Sequence, residues 1–286
     1  MAYKIVVDSS CDLTEEMKTW NNISVIPLTL QIGDYVILDD ENFDQDDFIN
    51  RVATSNEQAR SACPAPSAFS DACEGDEEDV YIVCITDKLS GCYNSALQGV
   101  EFFKEEHEDV KKNIHVFNSL SAAGHETLIA LKIHELASKG LPFDEVVKEV
   151  EKFSLEESGL YFCLQSFDAF KNNGRLFSIA AKVIEAVRVK LICGRGKDGN
   201  ITLAGKDLTE SRALSKLVSF IAKDTDGCDL ADKKVIITHV CCEEKANKVA
   251  EMIKDKCGYK DVVVLKGGGL NSLYASNGGI LVAFSK

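Results

Sequence analysis

The sequence lacks both a long hydrophobic run and a secretory signal. No apolar segment approaches the roughly 18 residues that a membrane-spanning helix requires. The N-terminal residues, Met1 to Asp8, become acidic before the apolar stretch of a signal peptide forms. The sequence therefore predicts a soluble, cytoplasmic protein that makes no stable membrane insertion.

Basic charge is also scarce. The 286 residues include 46 acidic and 32 basic side chains, which gives a net charge of −14, and lysine and arginine form no block. A surface of this sign repels phosphate backbones and anionic lipids, which argues against nucleic acid or a membrane surface as a partner. A neutral or singly anionic small ligand remains compatible with this composition.

Cysteine pairs at metal-ligand spacing are missing. The eleven cysteines are odd in number and mostly lie in apolar stretches such as Val83-Cys84-Ile85. This distribution predicts buried, reduced thiols. No Cys-x-x-Cys occurs, and the adjacent pair Cys241-Cys242 has no companions at zinc-ligand spacing, so we expect no metal site.

The length favours two α/β domains. Short apolar runs alternate with amphipathic stretches in the first half, which predicts a mostly parallel sheet with flanking helices over residues 1–158. The second half, residues 159–286, adds a hairpin signal at Lys197-Asp198-Gly199-Asn200 and predicts an α/β domain with a mixed sheet. We place the boundary at the charged junction from Glu156 to Gly159.

Several catalytic motifs fail on spacing. His125-Glu126 would need a second histidine at Ile129 to form a zinc-protease helix. Ser90 lacks the flanking glycines of a nucleophile elbow. Gly267-Gly268-Gly269 lacks the final glycine of a dinucleotide fingerprint. These mismatches leave nucleotide binding without direct support.

Polar side chains follow three apolar strands of the first half. Asp8-Ser9-Ser10 comes after Lys4–Val7, and Thr86 to Gly91 comes after Val80–Ile85. Asn118-Ser119 follows the next strand. Parallel strands would bring these loops to one sheet edge, where helix N-termini and hydroxyls bind anions. The alternative is that these residues are ordinary helix N-caps.

Three segments carry a family resemblance. Asp8-Ser9-Ser10-Cys11-Asp12-Leu13, Lys88-Leu89-Ser90-Gly91-Cys92-Tyr93-Asn94-Ser95-Ala96 and Phe170-Lys171-Asn172-Asn173-Gly174-Arg175-Leu176 resemble the DegV family in order and position. The resemblance implies a two-domain α/β fold whose N-terminal domain is similar to the dihydroxyacetone-kinase type. It also implies one long-chain fatty acid bound between the domains.

The resemblance also implies a role and a set of binding residues. Family members with an assigned role are the acyl-binding subunit of a bacterial fatty-acid kinase, and the acyl phosphate formed serves phospholipid synthesis. They present the carboxylate to a separate ATP-binding subunit and are not themselves enzymes. Carried over by motif, the ligand-binding positions are Ser61, Ser90, the amide of Gly91, Asn94 and Arg175, with no cofactor besides the bound fatty acid.

The chain departs from the family pattern at three positions. Ala275 stands where the family has a histidine near the acyl head, Leu208 where it has an arginine, and Ala123 where it has a serine. These losses bear on phosphotransfer more than on lipid binding, because an apolar tunnel needs neither a histidine nor an arginine. A lipid-responsive regulatory protein without a kinase role is therefore one alternative, and a small-molecule phosphotransferase is another.

The energetics of the implied ligand are favourable. Burial yields about 0.8 kcal/mol per methylene, so about fourteen methylenes supply roughly 11 kcal/mol before ordering costs. A buried carboxylate without partners would cancel much of that gain, so hydroxyls and amides are expected at the tunnel mouth. The apolar positions of Phe177–Ile184 are candidate tunnel walls.

Overall fold

A computed structural model describes residues 2–175 and 189–286 of the chain. The strands in the described residues are β1 Tyr3–Asp8, β2 Ile23–Ile26, β3 Thr29–Ile32, β4 Tyr35–Leu38, β5 Ala59–Ala62, β6 Asp79–Cys84, β7 Asn113–Asn118, β8 Ser158–Cys163, β9 Lys190–Arg195, β10 Ile201–Asp207, β11 Lys234–His239, β12 Asp261–Lys266 and β13 Ile280–Ser285. The α-helices are α1 Gln45–Thr54, α2 Pro66–Ala72, α3 Cys92–Glu106, α4 Gly124–Ser138, α5 Phe143–Glu156, α6 Asp168–Asn172, α7 Glu210–Asp224, α8 Glu243–Cys257 and α9 Gly269–Ala275.

The N-terminal half is built on a parallel sheet in the order β2-β1-β6-β7. Strand β6 is buried along its whole length, as its continuous apolar run predicts for a central parallel strand. Alternate residues of β1 and β6 point to opposite faces. Val6 and Ile82 pack in one apolar cluster with side chains of α2 and α3, and Val7 and Val83 in another with side chains of α4 and α5.

A small antiparallel sheet, in the order β4-β3-β5, adjoins this core. The pair Gly33-Asp34 between the apolar runs Ser24–Leu30 and Tyr35–Leu38 predicts a hairpin; β3 and β4 form it, and Gly33 adopts the positive φ of 56° that such a turn requires. The first run is not one continuous strand, because Pro27 interrupts its backbone pairing. Its first part, β2, joins the parallel sheet instead.

The C-terminal half contains a six-stranded mixed sheet in the order β10-β9-β8-β13-β11-β12, as predicted for the fold class. Only the β11/β12 pair is parallel. Helices α7 and α8 cover one face. The other face, with Leu160, Phe162 and Leu281, turns toward the N-terminal half and shares an apolar cluster with Ala123 and Leu128.

Each half contributes residues to the apolar core of the other half. Strand β8 begins at Ser158, one residue before the domain predicted for 159–286, and the boundary stays a prediction. Helix α9, late in the chain, places Leu270 and Leu273 in the apolar cluster of the N-terminal half. The N-terminal core therefore depends on residues from both ends of the sequence.

Three local features differ from the sequence-based expectation. The helix predicted from Asp12-Leu13-Thr14-Glu15 is a 3-10 turn at Met17–Thr19, where the Thr14 hydroxyl accepts a hydrogen bond from the Met17 amide. Strand β5 and helix α9 were not predicted.

Within residues 2–175 and 189–286, no helix combines the length and the apolar character needed to cross a bilayer.

Candidate ligand-binding site

A cavity lies between the parallel sheet and the inner face of the six-stranded sheet. It contains about 760 Å³ of empty space, including its opening to solvent. Ile85, Leu89 and Leu120 contribute apolar wall from the N-terminal half, and Leu160, Phe162, Leu164 and Leu281 from the C-terminal half. Strand β8 supplies Leu160 and Phe162 because residues two apart share one face of a strand, and Leu164 follows directly after the strand.

One end of this cavity, here called the outer pole, carries the polar side chains of Ser61, Ser90, Arg175 and Tyr274. The hydroxyls of Ser61 and Tyr274 are hydrogen-bonded, with 3.2 Å between their oxygens. The Ser90 hydroxyl donates to the Cys92 sulfur at 3.1 Å and accepts from the Cys92 amide at 3.3 Å. Burial raises the pKa of Tyr274, which keeps its hydroxyl neutral and able to donate at physiological pH.

Arg175 is fixed at the outer pole by backbone carbonyls. Its Nε donates to the Leu89 carbonyl at 3.1 Å, and its Nη1 donates to the Asn173 carbonyl at 2.9 Å. The guanidinium carbon lies 5.8 Å from the centre of the Tyr274 ring, within the range of a cation–π contact. The turn after α6 therefore brings a positive charge beside the two serines.

The structure separates the remaining predicted site residues from the cavity. Asn94 is exposed on α3 and does not line the cavity. Gly91 is exposed at the start of the same helix and is also absent from the lining. Ser61, Ser90 and Arg175 are thus brought together, whereas Gly91 and Asn94 are not. The part of each residue in ligand binding stays a prediction.

At the polar edge of the parallel sheet, most of the motif side chains accept hydrogen bonds from loop amides and so hold neighbouring loops together. The Asp8 carboxylate accepts from the amides of Ser10 and Ile85, the latter at 2.9 Å. The Ser9 hydroxyl accepts from the Leu28 amide, and the Ser10 hydroxyl accepts from the Ala123 amide. Asp8, Ser9 and Ser10 are buried and do not line the cavity. They connect successive loops, and the polar edge reaches the cavity only at Thr86, Ser90 and Ser121.

The alternative that these residues are helix N-caps is wrong for the two helices that follow the loops. Neither α3 nor α4 has a side-chain hydrogen bond at its N-cap residue. Ala123, before α4, instead holds a positive φ of 54°, and its amide is fixed by the Ser10 hydroxyl. The Ser10 hydroxyl therefore holds an unusual backbone path before α4, whereas the Ser90 hydroxyl accepts from the amide of Cys92, the first residue of α3.

Buried carboxyl groups join the two halves beside the cavity. Asp12 accepts hydrogen bonds from the Thr238 hydroxyl at 2.6 Å, the Gly268 amide at 2.8 Å and the Asn271 amide group at 3.0 Å. Burial raises the pKa of Asp12 to about 6 and that of Asp8 to about 6. We call the Asp12 contacts the interhalf seam, because they connect the loop after β1 with β11 and α9.

The positions that depart from the family pattern differ in burial and in their distance from the cavity lining. Ala275 is buried and lines the cavity, so the family's histidine position is an apolar wall here. Leu208 is 73% exposed between β10 and α7. His239, another candidate for the cavity, accepts a hydrogen bond from the Cys242 amide and is not part of the lining. The predicted walls at Phe177–Ile184 lie outside the described residues.

Sequence reasoning missed polar residues that line the cavity, among them Ser121, Arg195, Asn271 and Tyr274. Tyr274 directly precedes Ala275, the position of the missing histidine. Ser121 follows Asn118-Ser119 on the predicted polar edge, which was a usable signal. Arg195 ends a strand before a turn, and no local pattern distinguishes it from a surface arginine.

The fold and the site together define an α/β protein with a largely apolar cavity between two sheets and a group of polar side chains at one end of that cavity. The sequence model of the DegV family matches residues 2–285. The chain therefore belongs to the DegV family, as its three motifs predicted.

Relatives of the whole chain support this assignment. A DegV domain-containing protein of Streptococcus pyogenes serotype M18 is 34% identical, with 99% of each chain covered. A DegV-family crystal structure from Ruminococcus gnavus, refined with vaccenic acid, is 36% identical, with a TM-score of 0.92 and 99% of each chain covered. The fatty acid kinase B3 protein of Streptococcus pneumoniae, loaded with linoleic acid, is 29% identical, with a TM-score of 0.87 and coverage of 100% of this chain and 99% of that chain.

Proposed function

We propose that the cavity binds one long-chain fatty acid, with its carboxyl group at the outer pole and its acyl chain among the apolar walls. The observation that carries the proposal is the coincidence of a largely apolar cavity with two serine hydroxyls, a tyrosine hydroxyl and an arginine grouped at one end. Structures of the same fold over the whole chain contain vaccenic and linoleic acids. The outer pole offers neutral donors and one cation, which compensate the desolvation of a carboxylate.

The direct test is extraction of the freshly purified protein with a denaturing organic solvent, followed by mass spectrometry. We expect about one long-chain fatty acid per chain, or stoichiometric uptake of added oleate or palmitate by the delipidated protein. Extraction that yields no acyl chain, together with no uptake of either acid, would refute the proposal.

We further propose that the chain performs no catalysis alone and presents the bound carboxyl group to a separate kinase. The support is the likeness to the fatty acid kinase B3 protein over the whole chain. The test combines this protein, loaded with oleate, with ATP and an ATP-binding kinase subunit from its own cell. We expect acyl phosphate only when all components are present, and ATP turnover by the isolated chain would contradict this role.

Ala275 and Leu208 favour a second candidate, a lipid-responsive regulatory protein without a kinase role. The histidine position of the family is an apolar wall, and its arginine position is an exposed leucine. Tight fatty-acid binding without acyl phosphate formation, using every kinase subunit of the same cell, would select this second candidate over presentation to a kinase.

A further inference from the structure

The cavity has a second polar end, which the fatty-acid proposal leaves unused. Arg195, the last residue of β9, lines the cavity together with Leu160, Ile201 and Leu281. Its Nη2 donates to the carbonyls of Ser154 and Ser158, the latter at 3.0 Å. Its Nη1 is buried and has no hydrogen-bond partner among the described residues.

Ser121 is a second polar residue of the cavity lining. Its side chain is buried, with 4% of the residue exposed, and it lines the cavity. The Ser121 hydroxyl has no hydrogen-bond partner within residues 2–175 and 189–286. Ser154 connects the two groups, because its hydroxyl donates to the Ser119 carbonyl at 3.3 Å and its carbonyl accepts from Arg195. We call Arg195 and Ser121 the interior pole.

Both residues of the interior pole have a buried polar atom without a hydrogen-bond partner among the described residues. Buried polar groups nearly always have a partner, and two unpartnered groups on one cavity wall point to a missing acceptor. Burial lowers the pKa of Arg195 to about 10, so the guanidinium remains charged at neutral pH. No carboxylate of the described residues pairs with it. A buried cation without a counter-charge is costly, and an oxygen of the ligand at Nη1 would lower that cost.

A structural role accounts for only part of Arg195. An arginine near the end of α5 satisfies free carbonyls there, which explains the contacts of Nη2 with Ser154 and Ser158. It does not explain why Nη1 is left without a partner, and it does not concern Ser121.

The two poles lie at opposite ends of β8. Gly194 pairs with Tyr161, which places Arg195 beside Leu160 near the start of that strand. The outer pole adjoins Phe170, which follows the end of the strand and contacts the Tyr274 ring at 4.9 Å between centroids. Leu164 lies four positions after Leu160 in extended chain, a span of about 13 Å. Phe162, midway along this span, contributes apolar wall.

We infer that the interior pole binds a second oxygen-bearing group of the ligand, so that the ligand class is a long-chain acid with a hydroxyl or carboxylate remote from its first carboxyl group. This inference rests on the proposed function, because it assumes that the first carboxyl group occupies the outer pole. Arg195 and Ser121 then determine specificity. An unsubstituted acyl chain leaves both groups unpaired, whereas an oxygen-bearing chain satisfies them.

The test compares three ligands by calorimetric titration of the delipidated protein: palmitate, 16-hydroxyhexadecanoate and hexadecanedioate. We expect at least one of the two-ended acids to bind about tenfold or more tightly than palmitate, the gain of one charge-assisted hydrogen bond. Arg195→Met should abolish that preference, so that palmitate and the two-ended acids bind with similar affinity. Ser121→Ala should lower the preference for the hydroxy acid, and Ser215→Ala, on the exposed face of α7, should change nothing.

The outcomes separate this inference from the proposed function. Palmitate binding without any preference for a two-ended acid overturns the inference alone, whereas no binding of any acyl ligand refutes the proposed function. A loss of palmitate affinity in Arg195→Met equal to the loss for the two-ended acids also overturns it, because the first carboxyl group would then lie at the interior pole.

A second measurement needs no variant and covers the case in which Arg195→Met does not fold. Dicarboxylic acids of increasing length are titrated into the wild-type protein. We expect an affinity maximum at the one length whose second carboxylate reaches the interior pole. Affinity that rises smoothly with length, as it does for unsubstituted fatty acids, would show that no group in the cavity interior recognises the second carboxylate.

Discussion

At the scale of single residues, the outer pole shows how neutral donors and one cation can be assembled from distant segments. Ser61 comes from β5, Ser90 from the loop after β6, and Tyr274 from α9. The hydrogen bond between Ser61 and Tyr274 joins positions 213 residues apart in the chain. A carboxyl group between these side chains would find hydroxyls and the Arg175 guanidinium without any catalytic base.

The double variant Ser61→Ala with Ser90→Ala tests this assembly. A hydrogen bond to a charged group contributes about 1.5–3 kcal/mol, so we expect each lost hydroxyl to raise the dissociation constant for oleate about tenfold or more. Fluorescence displacement or calorimetry measures the change. Ser215→Ala removes an exposed hydroxyl from α7 and serves as the matched control. Unchanged affinity in the double variant would remove both serines from the site.

At the scale of elements, α9 connects the cavity to the core of the N-terminal half. Asp39, in the loop after β4, accepts hydrogen bonds from the amides of Gly269 and Leu270, the latter at 2.8 Å. Gly269 admits no side chain, since an added Cβ would lie 2.4 Å from a methyl carbon of Leu30. A buried carboxylate at the positive end of a helix is favourable, and here it fixes the helix that carries Tyr274.

Asp39→Ala should therefore loosen α9 and affect two measurements. The loss of charge-assisted hydrogen bonds to buried amides should lower the free energy of unfolding by about 2 kcal/mol or more, as measured by urea denaturation. Oleate affinity should fall as well, because Tyr274 is no longer held in place. Asp71→Ala, at an exposed position of α2, is the control and should change neither quantity. A variant as stable as the wild type would show that α9 is held by apolar packing alone.

The same scale shows what the sequence could and could not predict. Strands and helices with regular hydrophobic periodicity, such as β6 and α3, were predicted because burial of one face dictates the pattern. Strand β5 has only four residues, Ala-Arg-Ser-Ala, and its pairing with β3 depends on tertiary contacts. Helix α9 begins in a run of glycines and is stabilised by Asp39 from a distant loop, so its local sequence carries little helical signal.

The residues of the candidate site also divide into those that the sequence could predict and those that depend on tertiary contacts. Ser90 and Arg175 lie on motifs that could be read directly, and Ser61 could be placed only by resemblance. Asn94 was predicted from its position in the motif, but the helical period turns it to the exposed face of α3. Arg195 comes from β9 and Ser121 from the loop after β7. Both line the cavity because these segments converge only in three dimensions.

At the scale of the whole molecule, the interhalf seam makes the stability of the fold depend on pH. Burial raises the pKa of Asp12 from 3.8 to about 6 in the folded protein. The folded state therefore holds this proton more tightly than the unfolded chain. The stabilisation is fully present below about pH 4 and is lost as the pH rises through about 6. His125, whose pKa is lowered by burial and by Arg195, acts in the opposite direction.

Comparison of the wild type with Asp12→Asn isolates this effect. A shift of about two units corresponds to about 3 kcal/mol, so the stability of the wild type relative to the variant should fall by up to that amount between pH 4 and pH 6.5. Urea denaturation across this range gives the difference at each pH. Asp34→Asn, in the exposed turn between β3 and β4, serves as the matched control variant. A relative stability that rises with pH would contradict the direction of the shift.

The position of α9 in the chain also has a consequence for biosynthesis. A ribosome releases β1, β6 and their flanking helices long before Leu270 and Leu273 emerge, yet these two leucines complete the apolar cluster of that first half. The nascent first half consequently waits with part of its interior open to water until α9 is translated. Final closure of the N-terminal core, and of the cavity beside it, is thus a late event of synthesis.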